Sequence, residues 1–499
     1  MQKYFPSFVI FITGLITMVF EIVGARALGP YFGTSIFVWT SLIGIIMGSL
    51  SIGYWLGGLL SVKKTNFQLF GFMMLAAGAF VAITALGDHY ILERVVKYIP
   101  GFKMQNIVSV IVLFSPASIM FGMILPYGIR LRMENLTSSG STVGSLYALS
   151  TVGSIIGTFS AGFFLVPAFG YSNILYFLSF SLILISGILF FPERKYINLA
   201  VSLVLFVVTV FIWNYNTNQE STYIDVDTQY NRVLIYETKD RNTDRPIKML
   251  RVNDENSSAM FLDGDDGLVF KVLEYYHLVE HFVPDFQKSL MIGGSGYAFP
   301  KAYLKTYLEA NLDVVEIDPG LTALAREHFE LKDSPRLNIF HEDGRIFLNH
   351  CTEKKYDAVF MDAYKSMLTI PYQLTTLEAV QKISDALTDE GAIFANVISS
   401  LDNNTNEFLR AELATYRSVF PQVFLFAVQY PNPNEKEKAY FQNIMLVGLK
   451  SSTRPELISK NQQLNGFLSN IIELKTSDKD FIITDEFAPV EYSASKVLN

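Results

Sequence analysis

Two patterns of apolar and polar residues divide this chain. Up to about residue 216 the apolar residues run in long blocks with few charges; beyond residue 222 they form short runs between polar turns. The long blocks lie at about 6–28, 36–60, 68–87, 107–128, 143–167, 172–191 and 197–214. Each approaches or exceeds the roughly 20 residues a helix needs to cross a bilayer's hydrocarbon core. Residues 1–216 are therefore expected to be a multi-span α-helical membrane bundle of about 7 spans. The first block reads as a span and not as a cleaved signal, because further spans follow at once and no small-residue cleavage site stands out. Gly44/Gly48, Gly53/Gly57 and Gly153/Gly157 repeat at the small-xxx-small spacing that lets helix backbones approach closely. In "FEIVGARALGPYFG", Glu21 and Arg26 allow two readings. They form a polar site within the membrane, or Arg26 ends the span while Glu21 bonds a neighbouring helix.

In the second half, "RVLIYE" and "KMLRVND" predict strands of a small β region, and an amphipathic helix follows at about Leu268–Phe282. A regular alternation comes next. Strand-like runs at 289–294, 312–318, 336–343, 356–363, 391–398, 422–429 and 443–450 are separated by helical patterns such as "PGLTALAREHF" and "TTLEAVQKISDAL". Such alternation predicts an α/β domain with a largely parallel sheet covered on both faces. The expected division is a membrane domain 1–216, a β region plus helix 217–286, a nucleoside-binding domain 287–450 and a tail 451–499.

Charge sharpens the division. Residues 1–216 hold 11 Lys/Arg and 5 Asp/Glu, leaving 28 and 42 for the remainder, so the second half is strongly acidic. That balance argues against nucleic acid as a partner, since phosphate binding needs clustered cations. The single cysteine, Cys351, excludes an intrachain disulfide and a multi-cysteine zinc site. Lys63, Lys64, Arg130, Arg132, Arg194 and Lys195 fall in alternate loops, which the positive-inside rule assigns to the cytoplasm. With seven spans that rule puts the acidic half outside, and one span more or fewer, around 89–104, reverses it.

Ligands of such sheets bind beyond the carboxyl ends of the strands, and four of those ends carry chemistry. In "IGGSGYAFP", Gly293, Gly294 and Gly296 permit a tight turn and close approach of a ligand. Glu316 in "VVEIDP" lies 20 residues past Gly296, where a carboxylate can accept from both ribose hydroxyls. Asp343 and Gly344 in "HEDGRIF" stand where an adenine edge could be read, and Asp362 ends "YDAVFMDA". Their order and spacing point to a nucleoside site. A dinucleotide fits less well, because Phe299 stands where G-x-G-x-x-G needs its third glycine. "HLVEH" (His277 to His281) fits the H-x-x-E-H spacing of a zinc site, but no third ligand stands out, so no metal is expected.

These residues together resemble the spermidine synthase (polyamine aminopropyltransferase) family over roughly 223–450, through "TQYNRVLIYE", "LMIGGSGY", "VVEIDP", "EDGRIFL", "YDAVFMDAY" and "QNIMLVGLK". "FEIVGARALGPYFGTS" and the tail "ITDEFAPVEY" resemble the versions fused to a multi-span membrane segment. The resemblance implies a Rossmann-like, methyltransferase/spermidine synthase-type domain behind a small N-terminal β region. It implies transfer of an aminopropyl group from decarboxylated S-adenosylmethionine to putrescine. Glu316 would hold the ribose and Asp343 the adenine, while Asp362, with Tyr230 upstream, would serve catalysis. Three departures stand out. Ser295 occupies the place of the acid in the family's G-G-G-D-G loop, Lys365 replaces the second acid of D-S-x-D-P, and Tyr230-Asn231 replaces Tyr-Gln.

Three functions remain open: a membrane-bound aminopropyltransferase, a methyltransferase using S-adenosylmethionine on a lipid or transported substrate, and a nucleoside-regulated transporter without catalysis. The expected partners are a lipid bilayer, a small amine or membrane-associated acceptor, and a second copy of the chain as a homodimer. Because the donor is made in the cytosol, the soluble half of this multi-pass protein is expected there.

Overall fold

The computed structural model describes residues 4–63, 65–133, 139–190, 196–217, 223–351, 353–363, 370–474 and 480–496. The chain forms two compact units, Met1–Ser221 and Thr222–Asn499.

Seven helices of the first unit are long and apolar enough to cross a membrane, among the described residues. They are α1 (Phe5–Phe32), α2 (Ile36–Lys63), α3 (Phe67–Tyr98), α4 (Phe102–Arg132), α5 (Ser139–Ser160, prolonged by a π-helical turn Ala161–Leu165), α6 (Tyr171–Phe190) and α7 (Tyr196–Thr217). Residues 89–104 add no span, since they are the end of α3 and the start of α4. Glycines set two of the packed pairs. A Cβ on Gly153 or Gly157 of α5 would lie 2.2 or 2.3 Å from a carbonyl oxygen of α1, and one on Gly53 of α2 would lie 2.2 Å from Ile119 O of α4. Gly44 and Gly48 differ from expectation: they have nothing within 4 Å, so their spacing marks an open helix face and no packed one. On α3 and α6, Ser179 and Ser186 hydroxyls donate to the Gly78 and Gly71 carbonyls at 2.8 and 2.9 Å. Glu21 is half-buried on α1, which also carries Arg26.

The second unit begins with an antiparallel sheet in the order β1 (Tyr223–Asp227), β2 (Arg232–Lys239), β3 (Pro246–Val252) and β4 (Glu255–Phe261). The expected β region thus has two strands more than its sequence pattern marked. The helix anticipated from Leu268 starts at Lys271 and is interrupted by a 3-10 turn, Tyr276–Leu278.

A second sheet follows, with strands β5 (Lys288–Ile292), β6 (Asn311–Val315), β7 (Leu337–Phe340), β8 (Tyr356–Met361), β9 (Leu387–Ser399), β10 (Gln422–Ala427), β11 (Gln442–Leu449) and β12 (Ile471–Ile472). Their order is β12-β10-β11-β9-β8-β5-β6-β7. Neighbours from β7 to β9 are parallel, and β10 to β12 are added antiparallel. Phe360 of β8, Phe394 of β9 and Phe426 of β10 are fully buried, as strands covered on both faces require. The expected helices form at Pro319–His328 and Leu377–Ala386, the latter capped by the Thr376 hydroxyl on Ala379 N at 3.3 Å. Strand order turns from one direction to the other at β5, between β6 and β8, which makes that crevice the place for a ligand. The tail docks on this unit: Asp485 accepts from the Thr376 hydroxyl at 2.7 Å and from Arg345 at 2.7 Å.

Candidate active site

Each polar strand end meets this crevice, and the glycine-rich turn after β5 shapes its floor. Gly293 has φ 96°, a conformation that suits glycine, and a Cβ there would lie 2.2 Å from Asp362 O. Ser295 and Tyr297 also take positive φ, 44° and 56°. Glu316 holds the turn in place. Its Oε2 accepts from Gly294 N and Ser295 N and its Oε1 from Asp318 N, all at 2.9 Å. Burial pushes its carboxyl up, opposed by those three N–H groups. A carboxylate has about four acceptor positions, so one remains on Oε1 for a hydroxyl. The same contacts account for the poor fit to a dinucleotide. Two loop N–H groups that could cradle a pyrophosphate are taken by a carboxylate, and Phe299 is packed between Tyr276 and Phe360.

Asp343 is the N-cap of the helix Gly344–His350. Its Oδ1 accepts from Arg345 N and Ile346 N at 2.9 and 3.1 Å, while Oδ2 meets the Gln373 amide at 3.5 Å. A Cβ on Gly344 would lie 2.7 Å from Ile292 Cγ2, so the helix start sits tight on β5. Glu316, Asp343, Gly344 and Tyr230 line one cavity of about 100 Å³. Tyr230 is 40% exposed and lines only this smaller cavity, not the larger one. Its neighbour Asn231 is buried and donates to Asp318 Oδ2 at 2.8 Å.

A second cavity of about 920 Å³ adjoins the first, and Ser257, Gly293, Ser295 and Asp362 line both. Asp362 sits half-buried at this junction. Its Oδ1 accepts from the Asn396 amide at 2.9 Å, Asn396 Oδ1 accepts from Asn443 Nδ2 at 3.0 Å, and Asn443 Oδ1 accepts from Gln429 Nε2 at 2.7 Å. This ladder fixes each amide's orientation, so Asn396 presents its NH₂ to Asp362. Burial raises the Asp362 carboxyl, against donation from Asn396 and the Tyr276 hydroxyl.

The structure thus gathers Asp362, Glu316, Asp343, Gly293 and Gly294 around adjoining cavities, whereas Gly296 lines neither of them and packs against Ser258 of β4. Lys365 lies outside the described residues. The zinc-like histidines part company: His277 Nδ1 pairs with the Tyr307 hydroxyl at 2.5 Å, and His281 Nε2 with Glu456 O at 2.8 Å. Sequence reading missed Asn396, Asn443, Gln429 and Glu255. The available signal was a lone amide inside the apolar run "GAIFANVI".

Fold and site define an α/β domain of transferase type with two adjoining cavities at its strand ends. Residues 253–443 match the family described as Spermine/spermidine synthase domain. A polyamine aminopropyltransferase of Vibrio vulnificus is 27% identical over 215 residues, covering 42% of this chain and 70% of that protein. A probable polyamine aminopropyl transferase of Bifidobacterium longum is 27% identical over 261 residues, covering 49% of this chain and 53% of that protein. An eEF1A lysine and N-terminal methyltransferase homolog of Drosophila melanogaster is 27% identical over 160 residues, 30% of this chain and 23% of that protein.

Proposed function

We propose that the protein is a membrane-bound aminopropyltransferase. Decarboxylated S-adenosylmethionine enters the smaller cavity, and an amine such as putrescine enters the larger. The observation that carries this reading is Asp362, a half-buried carboxylate with one oxygen fixed by Asn396, on the wall shared by both cavities. An ammonium has no lone pair to attack with. Asp362 takes a proton from it, and burial raises the carboxyl toward the basicity that such a transfer needs. The freed amine attacks the carbon beside the sulfonium. The new C–N bond forms as the C–S bond breaks, and sulfur keeps the electron pair as the thioether of methylthioadenosine. The remaining acceptor position on Glu316 suits a ribose hydroxyl, and Asp343 Oδ2 suits the adenine amino group. The seven apolar helices anchor the enzyme in a bilayer, with the catalytic unit on the cytoplasmic side where the donor is made.

Ser295 supports a second reading. With no acid in the glycine-rich turn, the site suits a donor that keeps its carboxylate, and the protein would then methylate a lipid or transported acceptor with S-adenosylmethionine. Detergent-purified protein should be incubated with decarboxylated S-adenosylmethionine plus putrescine, and separately with S-adenosylmethionine plus membrane lipid extract. Mass spectrometry should find methylthioadenosine and spermidine in the first mixture. S-adenosylhomocysteine from the second alone would replace aminopropyl transfer with methyl transfer, and silence in both would leave a nucleoside-binding regulator.

A further inference from the structure

A diamine held by Asp362 at one end leaves its second ammonium to be matched, and the sequence around the glycine turn and after β8 offers no obvious partner. The structure assigns that task to Glu255, on a different element. We propose that Glu255, the first residue of β4, is a positioning residue that takes the distal ammonium of the acceptor. The assignment rests on the aminopropyltransferase reading only for the identity of the acceptor.

Three observations carry it. Glu255 and Asp362 line the same cavity of about 920 Å³. The Glu255 Oε2 atom is buried and has no hydrogen-bond partner, so a residue on the chamber wall carries unused acceptor capacity. Its place is also fixed. Val252 pairs with Glu255 across a two-residue turn whose Asn253 has φ 55°. Asn253 donates to Asn231 Oδ1 at 2.9 Å, Asn231 to Asp318 Oδ2 at 2.8 Å, and Asp318 N to Glu316 at 2.9 Å. A continuous chain of hydrogen bonds therefore runs from the hairpin to the carboxylate that holds the glycine turn. A Cβ on Gly296 would lie 2.6 Å from Ser258 Oγ, so β4 lies directly against that turn.

The surrounding charges give the assignment a pH signature. Burial, then Asp254 and Asp362, push Glu255 up to about 7, and Arg251 opposes them. Lys239, Asp240, Arg241 and Lys271 also line the chamber. A dication entering beside Glu255 and Asp362 offsets the repulsion between them, so its binding strengthens as Glu255 ionises.

Full-length protein in detergent, loaded with methylthioadenosine, should be titrated calorimetrically with putrescine and with butylamine at about pH 6 and about pH 8, either side of the Glu255 transition. Wild type should favour putrescine, more so at the higher pH. E255Q should weaken putrescine at least about tenfold, lose the pH dependence, leave butylamine and methylthioadenosine binding unchanged, and be partly rescued by E255D. Equal putrescine affinity in E255Q, an equal loss for both amines, or a wild type with no preference for the diamine would overturn the assignment. Selective putrescine binding without spermidine formation from decarboxylated S-adenosylmethionine would instead defeat the proposed reaction and leave Glu255 its role.

Discussion

Asp362 accepts from both the Asn396 amide and the Tyr276 hydroxyl, and this held carboxylate fixes what its loss should do. D362N keeps the shape and the Asn396 contact but cannot take a proton. Its kcat for spermidine formation should fall about 10²–10⁴-fold, the usual worth of a general base, while calorimetry should find methylthioadenosine binding intact. Gly293 has the opposite character: it contributes no chemistry and tolerates no side chain. G293A would drive a methyl group to 2.2 Å from Asp362 O at φ 96°, so both the turn and Asp362 must move. The expected result is loss of methylthioadenosine binding by more than about tenfold together with a lower melting temperature. Glu316, Asp343 and Asp362 were legible as candidates because each follows an apolar strand, and the structure places them on adjoining cavities. Glu255 was not, because a carboxylate after a turn residue looks like any solvated hairpin acid until the chamber behind it is seen.

At the level of elements, the seven strands β5 to β11 were legible from continuous apolar runs, and the helices at 319 and 377 from their period and caps. The strands β1 and β4 were hidden, since "YIDVD" and "ENSSAMF" are too polar to mark a half-buried sheet. Two glycine pairs were read correctly as contact surfaces. Gly44/Gly48 was not, because spacing alone does not say which face of α2 meets a neighbour. The ladder of Asn396, Asn443 and Gln429 crosses strands distant in sequence, and no local pattern encodes it. The helix Glu407–Arg417 conceals another case: Glu412 is 3% exposed and its Oε1 has no partner, and burial raises its carboxyl well above the usual range. The folded state therefore keeps a proton that the unfolded chain releases above about pH 4.5, the ordinary glutamate range. The stability this contributes is full below that pH and is lost as pH rises toward the raised value. E412Q should accordingly raise the melting temperature at pH about 8, by roughly 1–3 kcal/mol of stability, and change little at about pH 4. Thermal scans at the two pH values check it, and an equal effect at both would show that Glu412 is ionised when buried.

For the whole molecule, the contrast between a charge-poor, net basic first half and an acidic second half was plain in the sequence, and the two compact units follow it. The proposed anchoring predicts that washing membranes with alkaline carbonate leaves the protein in the pellet; release into the supernatant would mean the helices do not insert. Seven crossings would also put the N-terminus and the catalytic unit on opposite faces, which reporter tags at the two ends can read. Tethering changes the arithmetic of encounter as well. A soluble enzyme samples its substrates at their bulk concentration, whereas a tethered one meets whatever dissolves in the headgroup layer at a far higher effective concentration. The lipid solubility of the acceptor thus becomes a kinetic variable. Lengthening an alkyl tail on the amine should lower its apparent KM in proteoliposomes step by step, and a KM indifferent to tail length would mean that the acceptor arrives from water.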